Sequence, residues 1–314
     1  MNTRFSSART RIAVVALTLP LALCACSEPS PAQSQLSSAV VAPTIDATLT
    51  DLDNRLGELE HSHAVRLGVV AIDPETGRTY GHRADEAFAL CSTFKTYAAA
   101  AVLQRSTAGV SDLNSPAFVD PADIVENSPV TEAFAGGSMT LAELAEAALT
   151  KSDNTAGNYL LREIGGPSAL TSFARTIGDE VTRLDRWEPG LNEATPEDLR
   201  DTSTPRALAG GYQTLLLDNG LQDSERDRLA TWMRASTTSE TRIRAGLPEG
   251  WTSADKTGAG AYGTVNDVGV VWDPQGKPLV LAILSDSTTG LQDAKGNNDA
   301  IAAATRSVVG AFTQ

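Results

Sequence analysis

The chain has 314 residues, of which 41% are hydrophobic and 20% charged, and its formal charge at pH 7 is −14. Such a composition is typical of a globular protein with one large core or two fused lobes. An acidic chain repels phosphate backbones, so the charge argues against nucleic acid as a partner.

The amino terminus has the pattern of an export signal. In residues 1–26, three arginines precede the apolar run IAVVALTLPLALCA, whose 14 residues are too few to span a bilayer comfortably. The run leads into LCAC, which resembles a bacterial lipobox in which Cys26 would carry a lipid anchor after cleavage. Ordinary cleavage after Ser27 is the alternative. We expect an exported protein, either a cell-envelope lipoprotein or a secreted or periplasmic one.

Elements are predicted in the following order along the chain. Residues 27–45 are polar and rich in Ser and Pro, which predicts a flexible tether. Leucines at helical spacing between 49 and 59 predict a first helix, and residues 65–82 read as two strands joined by a turn at 73–77. Residues from 92 to about 234 are mostly helical patterns, several of which open on a Ser, Thr or Asp cap. From Trp251 β-branched runs predict strands, and a final helix closes the chain.

Strands therefore come early and late, and helices fill the middle. The early and late strands share one antiparallel sheet only if the chain ends meet. The pattern predicts an α/β fold of two lobes over residues 46–314. One lobe, from both chain ends (about 46–84 and 236–314), is an antiparallel sheet with flanking helices; the other (about 85–235) is all helical. The cleft between lobes is the candidate site.

Two motifs are interpreted as structural. GAGAYG at 258–263 fits a dinucleotide fingerprint, but strand-like sequence follows it where a helix is needed, so it predicts a strand-edge turn. Besides His61 and His63 the chain has one further histidine, and no Cys-rich cluster accompanies them, so we expect no metal and no cofactor. Cys91 has no partner cysteine in the body of the chain and is interpreted as a packing residue.

Ser92 and Lys95 form the first chemical motif. At positions i and i+3 they share one helix face, and Ser92 would lie in the first turn, where free N–H groups stabilise negative charge. Burial of Lys95 in an Ala-rich helix would lower the pKa of its amine and allow it to act as a base. The pattern S-x-x-K alone is weak, since it recurs at Ser253 and Lys256.

Two further motifs follow in order. S-D-N at 152–154 lies between two helical patterns, and K-T-G at 256–258 lies on a predicted strand. Together with S-x-x-K they resemble the penicillin-recognising serine enzymes, and among them the class A β-lactamases. The stretch RWEPGLNEATPEDLRDTSTP resembles the Ω-loop of that class. Its Arg186 and Asp201 match the pair that pins the loop and would enclose 14 residues.

The resemblance implies a catalytic domain over 46–314 that hydrolyses the β-lactam amide through a serine acyl-enzyme and gives antibiotic resistance. Ser92 would attack the carbonyl, and either Lys95 or Glu188 acting through a water would take its proton. Glu188 with Asn192 would then hold the deacylating water. The remaining implied roles are an oxyanion hole of the Ser92 and Ala259 N–H groups, proton relay by Ser152, side-chain amide binding by Asn154, and carboxylate binding by Lys256 and Thr257.

The sequence departs from the family at two binding positions. Val265 stands where many relatives place a carboxylate-binding arginine. A subset of relatives carries it at a position that matches Arg242 in TRIRAG, so the resemblance implies that role for Arg242; the alternative is a surface charge at a helix end. Asn127 stands where an aromatic gatekeeper is common, so it becomes a candidate substrate contact. The expected partner is a small β-lactam, and a monomer is expected. A D-alanyl-D-alanine carboxypeptidase or transpeptidase, or a non-hydrolysing penicillin sensor, shares the short motifs but lacks the Glu188 loop.

Overall fold

The computed structural model describes residues 47–313, so the predicted signal and tether lie outside the described residues. Its helices are α1 Ala47–His63, α2 Phe94–Thr107, α3 Leu141–Thr150, α4 Asn154–Ile164, α5 Pro167–Thr176, α6 Pro205–Leu216, α7 Asp223–Arg234, α8 Ile243–Gly246 and α9 Asn298–Phe312. Its strands are β1 Val65–Ile72, β2 Thr79–His82, β3 Phe88–Ala89, β4 Pro116–Phe118, β5 Ser138–Thr140, β6 Thr202–Ser203, β7 Thr252–Ala259, β8 Val265–Trp272 and β9 Pro278–Ser287. None of the described helices has the length and apolar character needed to cross a membrane.

The main sheet joins both ends of the domain, as predicted. Its strand order is β2-β1-β9-β8-β7, with every neighbouring pair antiparallel. The first and last strands pair over their whole shared length, from Val65 opposite Ser287 to Ile72 opposite Val280. Because the paired residues are more than 200 positions apart in sequence, the pairing brings the two ends of the domain together. The helical middle of the chain lies between them in sequence and packs against one face and one edge of the sheet.

Two clusters of buried hydrophobic residues pack against the two faces of the main sheet. One buries the outer face of the sheet against α1 and α9, where Leu52, Leu56 and Ile301 pack. The other runs from the inner face of the sheet into the helices, with the alanine-rich α2 at its centre. Every residue of α2 from Phe94 to Leu103 is buried. A helix buried on all sides can carry a lysine only if that lysine finds polar partners inside the core.

Side-chain caps mark the start of several helices. Thr140 and Glu143 form a reciprocal capping box at the start of α3, and Asp153 caps α4 by accepting from the Ala156 N–H. The start of α2 differs from the prediction. Ser92 precedes α2 in a 3₁₀ turn, Cys91–Thr93, because Cys91 adopts a left-handed φ of 45° and the Thr93 hydroxyl bonds back to the Leu90 carbonyl at 2.6 Å.

Candidate active site

Ser92 and Lys95 meet as the sequence predicted. The Lys95 ammonium donates to Ser92 Oγ at 2.8 Å, across the junction between the 3₁₀ turn and α2. The same nitrogen donates to Asn154 Oδ1 at 2.7 Å and to the Ser152 carbonyl at 2.8 Å, and it lies 3.1 Å from Glu188 Oε1. Four oxygens therefore surround one fully buried amine.

Burial sets the protonation of that amine. Desolvation lowers the pKa of Lys95 below its ordinary value, and the Glu188 carboxylate beside it opposes the shift. Space for the chain comes from Gly157 of α4, where a Cβ would lie 2.8 Å from Lys95 Cε. The fold thus provides a buried amine with a reduced proton affinity next to a hydroxyl, which is the arrangement that activates a serine.

Glu188 reaches the same hydroxyl from the Ω-loop. Ser92 Oγ lies 3.4 Å from Glu188 Oε1, and Asn192 Nδ2 donates to Glu188 Oε2 at 2.5 Å. Asn158 of α4 fixes the backbone of Glu188 on both sides, because its Oδ1 accepts from the Glu188 N–H at 2.9 Å and its Nδ2 donates to the Glu188 carbonyl at 3.0 Å. A carboxylate held this way has little freedom to move away from Ser92.

A buried aspartate holds the two ends of the loop together. Arg186 Nε donates to Asp201 Oδ2 at 2.5 Å, and the N–H groups of Asp185 and Arg186 donate to Asp201 Oδ1 at 2.7 and 2.9 Å. The Asp201 carbonyl also accepts from the Leu90 N–H at 2.9 Å, two residues before Ser92. The loop and the serine turn are therefore fastened to one another through Asp201.

Ser152 stands between the two buried lysines. Its carbonyl binds Lys95, and its hydroxyl accepts from Lys256 Nζ at 3.0 Å. Lys256 is fully buried, and its pKa lies well below the ordinary value because of desolvation and the positive charges of Lys95 and Arg242. The backbone of Ser152 is in the left-handed region with φ 57°, which turns its hydroxyl and its carbonyl toward different lysines.

The end of β7 passes close to the serine turn. At Gly258 a Cβ would lie 2.9 Å from the Leu90 carbonyl, and at Gly260 it would lie 2.8 Å from Cys91 Sγ and from the Asn192 carbonyl. Glycine at 258 and 260, on either side of the exposed Ala259, therefore permits the end of β7 to approach the turn that carries Ser92. GAGAYG covers the last two residues of β7 and the turn toward β8, in agreement with its interpretation as a strand-edge turn.

Arg242 approaches the same strand from the N-terminal end of α8. Its Nη1 donates to the Gly258 carbonyl at 2.7 Å and to the Asn266 carbonyl at 2.8 Å, and its Nε donates to Asn298 Oδ1 at 2.9 Å. Thr257 lies on β7 with its hydroxyl 2.6 Å from the Thr238 hydroxyl. These hydrogen bonds hold Arg242 against the edge strand β7, whereas the sequence alone left open that it was a surface charge at a helix end.

Asn127 is the one assigned site residue on an exposed loop. It has a left-handed φ of 58°, and its carbonyl accepts from the Asn154 N–H at 3.1 Å.

Sequence reasoning missed Asn158, Asn266 and Asn298, whose amides position Glu188, the Leu90 turn and Arg242 respectively. No local pattern marks them, since each acts on a segment far away in sequence. Among the described residues no cluster of His, Cys, Asp or Glu suited to a metal ion occurs.

Comparison with known proteins gives the family. The model of the Beta-lactamase enzyme family matches residues 51–312. Beta-lactamase AST-1 of Nocardia asteroides is 48% identical over 278 residues, 88% of this chain and 89% of that protein. Beta-lactamase CTX-M-97 of Escherichia coli is 45% identical over 269 residues, 86% of this chain and 92% of that protein.

Solved structures agree with the sequence relatives. A crystal structure of a beta-lactamase from Desulfarculus baarsii DSM 2075 has 45% identity and a TM-score of 0.82, covering 85% of this chain and 98% of that one. The chain belongs to the Beta-lactamase enzyme family and is a class A serine β-lactamase. It hydrolyses β-lactam antibiotics, which gives resistance to them, and the predicted α/β fold with its antiparallel sheet is confirmed.

Proposed function

We propose that Ser92 is the nucleophile and that Lys95 is the base that activates it. The observation that carries the proposal is the 2.8 Å contact between the Lys95 amine and Ser92 Oγ inside a buried site. As the Ser92 oxygen bonds to the lactam carbonyl carbon, its proton passes to Lys95 Nζ in the neutral amine form, which burial of the side chain favours. The carbon–nitrogen bond of the lactam then breaks, and Ser152, bonded to Lys256, delivers a proton to the leaving nitrogen.

Charge that develops on the carbonyl oxygen would be stabilised by the N–H groups of Ser92 and Ala259, which are fixed before the reaction begins. Glu188 and Asn192 would then hold the water that attacks the ester carbon, and Glu188 would take a proton from that water. Asn154 would bind the side-chain amide of the antibiotic. Lys256, Thr257 and Arg242 would face its carboxylate. Asn127 would contact it from the exposed loop.

Ser92→Ala tests the nucleophile. We expect β-lactam hydrolysis to fall by about 10³-fold or more, since the covalent route is removed. Wild-type protein quenched during turnover should show the mass of the opened lactam on the Ser92 peptide. Ser172→Ala is the control, because the hydroxyl of this exposed serine of α5 bonds to the Ser168 carbonyl of its own helix. An adduct that maps to any other serine would contradict the assignment.

Arg242→Ala tests the carboxylate contact. Hydrogen bonds to charged groups contribute about 1.5–3 kcal/mol, so KM should rise about tenfold or more while kcat changes less. Steady-state kinetics on a penicillin measures both. Arg228→Ala, at an exposed arginine of α7 that stacks near Trp232, is the control. An unchanged kcat/KM would show that another cation binds the carboxylate.

We also propose that the protein is exported and is held at the cell envelope by a lipid on Cys26. The LCAC sequence and the Ser/Pro-rich tether, which lie outside the described residues, support this proposal. The monomer expected above is likewise a proposal. Cys26→Ser should move the mature protein from the membrane fraction to the soluble exported fraction, with Cys24→Ser as control. Wild-type protein that is already soluble and free of lipid by mass spectrometry would rule the anchor out and favour cleavage after Ser27.

A further inference from the structure

A cavity of about 490 Å³ lies between the Ω-loop and the main sheet, within the size range of small-molecule sites in proteins. Its walls come from residues 86–89 at β3, from residues 194–199 of the Ω-loop, from the β7–β8 connection and from the end of β9. None of the residues given a catalytic or substrate-binding role above is among the described residues that line it. The cavity is therefore distinct from the groups around Ser92.

The one arginine that lines the cavity is already neutralised. Arg66 donates to both carboxylate oxygens of Asp286, at 3.1 and 2.5 Å, and to Glu86 Oε2 at 3.1 Å. Its guanidinium carbon lies 3.9 Å from the centre of the Phe88 ring, so one face of the cation is covered as well. A ligand in the cavity would find no free positive charge on this side chain.

Glu197 is the one charged residue of the cavity wall that has no partner among the described residues. The neighbouring Asp198 is engaged, because both of its oxygens accept hydrogen bonds from Arg200. A ligand that enters the cavity thus meets a single uncompensated carboxylate. This favours a cation, since hydrogen bonds between a cationic donor and a carboxylate are shorter and stronger than neutral ones.

A buried hydroxyl lines the same cavity. Thr264 is 3% exposed, and its side chain has no hydrogen-bond partner among the described residues, while its oxygen is still open to the cavity. The backbone fixes its position, because the Thr264 N–H donates to the Ala261 carbonyl and its carbonyl accepts from the Gly260 N–H, both at 3.1 Å. Buried side-chain hydroxyls are usually hydrogen-bonded, and a donor on a ligand would supply the bond that Thr264 lacks.

Apolar side chains offer a surface for the body of a ligand. Pro196 and Leu199 of the Ω-loop line the cavity, and Leu199 is 60% exposed. Leu291, directly after the lining residue Gly290, is 59% exposed. A ligand with an apolar body would remove leucine surface from water here, which is favourable.

We propose that this cavity binds a small organic cation of the aryl-amidinium or aryl-guanidinium class. The cation pairs with the Glu197 carboxylate and donates to the Thr264 hydroxyl, and the aromatic ring lies against Leu199. A planar cation of this class has several N–H donors in one plane, which suits both acceptors. The ligand links the Ω-loop to the β7–β8 connection, whose Ala261 N–H already donates to the Asn192 carbonyl at 3.0 Å.

Titration with benzamidinium tests the site, with benzamide and benzoate as neutral and anionic probes of the same shape. In amide NMR spectra of the wild type, benzamidinium should cause saturable shifts at Ala194, Thr264 and Gly290, with a Kd of about 1 mM, as expected for a ligand of few atoms. Benzamide and benzoate should bind about tenfold more weakly or worse, because they lack the charge that pairs with Glu197. Equal affinity for all three probes, or no saturable shift at these amides, would overturn the proposal.

Two variants test the recognising groups. Glu197→Gln should weaken benzamidinium binding about tenfold or more, and Thr264→Val about 2- to 10-fold, since the first removes a charge-assisted bond and the second a neutral one. Glu197 is exposed, so we expect its variant to fold like the wild type. Glu249→Gln, at an exposed glutamate before β7 that does not line the cavity, is the control and should bind normally. Wild-type affinity in Glu197→Gln would refute the site.

Kinetics and thermal unfolding distinguish this cavity from the substrate site. Benzamidinium should raise the thermal midpoint of the wild type, because it binds the folded state, and should raise that of Glu197→Gln much less. The KM for a penicillin should stay unchanged at concentrations that saturate the NMR shifts. A KM that increases in proportion to benzamidinium would put the probe in the substrate site and contradict the proposal. Neither measurement depends on the roles proposed for Ser92 and Lys95, so a negative result leaves those roles intact.

Discussion

Glu188→Gln is expected to open one lactam ring per enzyme and then stall. The substitution keeps a side chain that can bond to Asn192, and Lys95 retains its contacts with Asn154 and the Ser152 carbonyl, so the fold and the acylating groups survive. The glutamine cannot accept a proton from water. General-base assistance contributes about 10²–10⁴-fold, and deacylation should slow by that factor.

Rapid mixing with a chromogenic cephalosporin followed by intact-mass spectrometry measures both steps. A burst near one equivalent should be followed by slow turnover, with the added mass persisting on the Ser92 peptide. Glu193→Gln is the matched control, since this exposed glutamate of the same loop pairs only with Arg186 and should turn over normally. Normal turnover by Glu188→Gln would show that another group activates the water. A stalled wild type would favour the sensor or transpeptidase alternatives.

The parts of the fold that follow from local pattern were predicted well. The switch from helical spacing to β-branched runs near Trp251, and the turn that ends β1, come from residues within a few positions of one another. The joining of β1 and β9 was predicted from the order of elements alone. The 3₁₀ turn at Ser92 was not, because it depends on the left-handed backbone of Cys91 and on the Leu90 N–H bond to Asp201.

The same distinction holds within the site. S-x-x-K, S-D-N and K-T-G are short, and each could be found from neighbouring residues. Asn158 and Asn266 could not, since each acts on a backbone group that only the tertiary fold brings close to its side chain.

Lys95→Met is expected to abolish the burst that Glu188→Gln retains. Methionine fills the space beside Gly157 but removes the amine that contacts Ser92 Oγ and Glu188. Loss of a general base slows acylation by about 10²–10⁴-fold. Breaking a buried ion pair costs about 3–5 kcal/mol, so the thermal midpoint should fall, and folding must be verified by circular dichroism before kinetics.

Lys95→Arg separates charge from basicity. Arginine keeps the positive charge beside Glu188, but its very high pKa keeps it protonated at neutral pH, so it cannot take a proton from Ser92. We expect Lys95→Arg to be more stable than Lys95→Met and equally slow to acylate. Lys151→Met, at an exposed lysine that bonds to Thr237, should acylate like the wild type. If Lys95→Arg acylates at the wild-type rate while Glu188→Gln shows no burst, the proton from Ser92 goes to Glu188 through a water, and Lys95 serves only to hold the negative charge of that glutamate beside the serine.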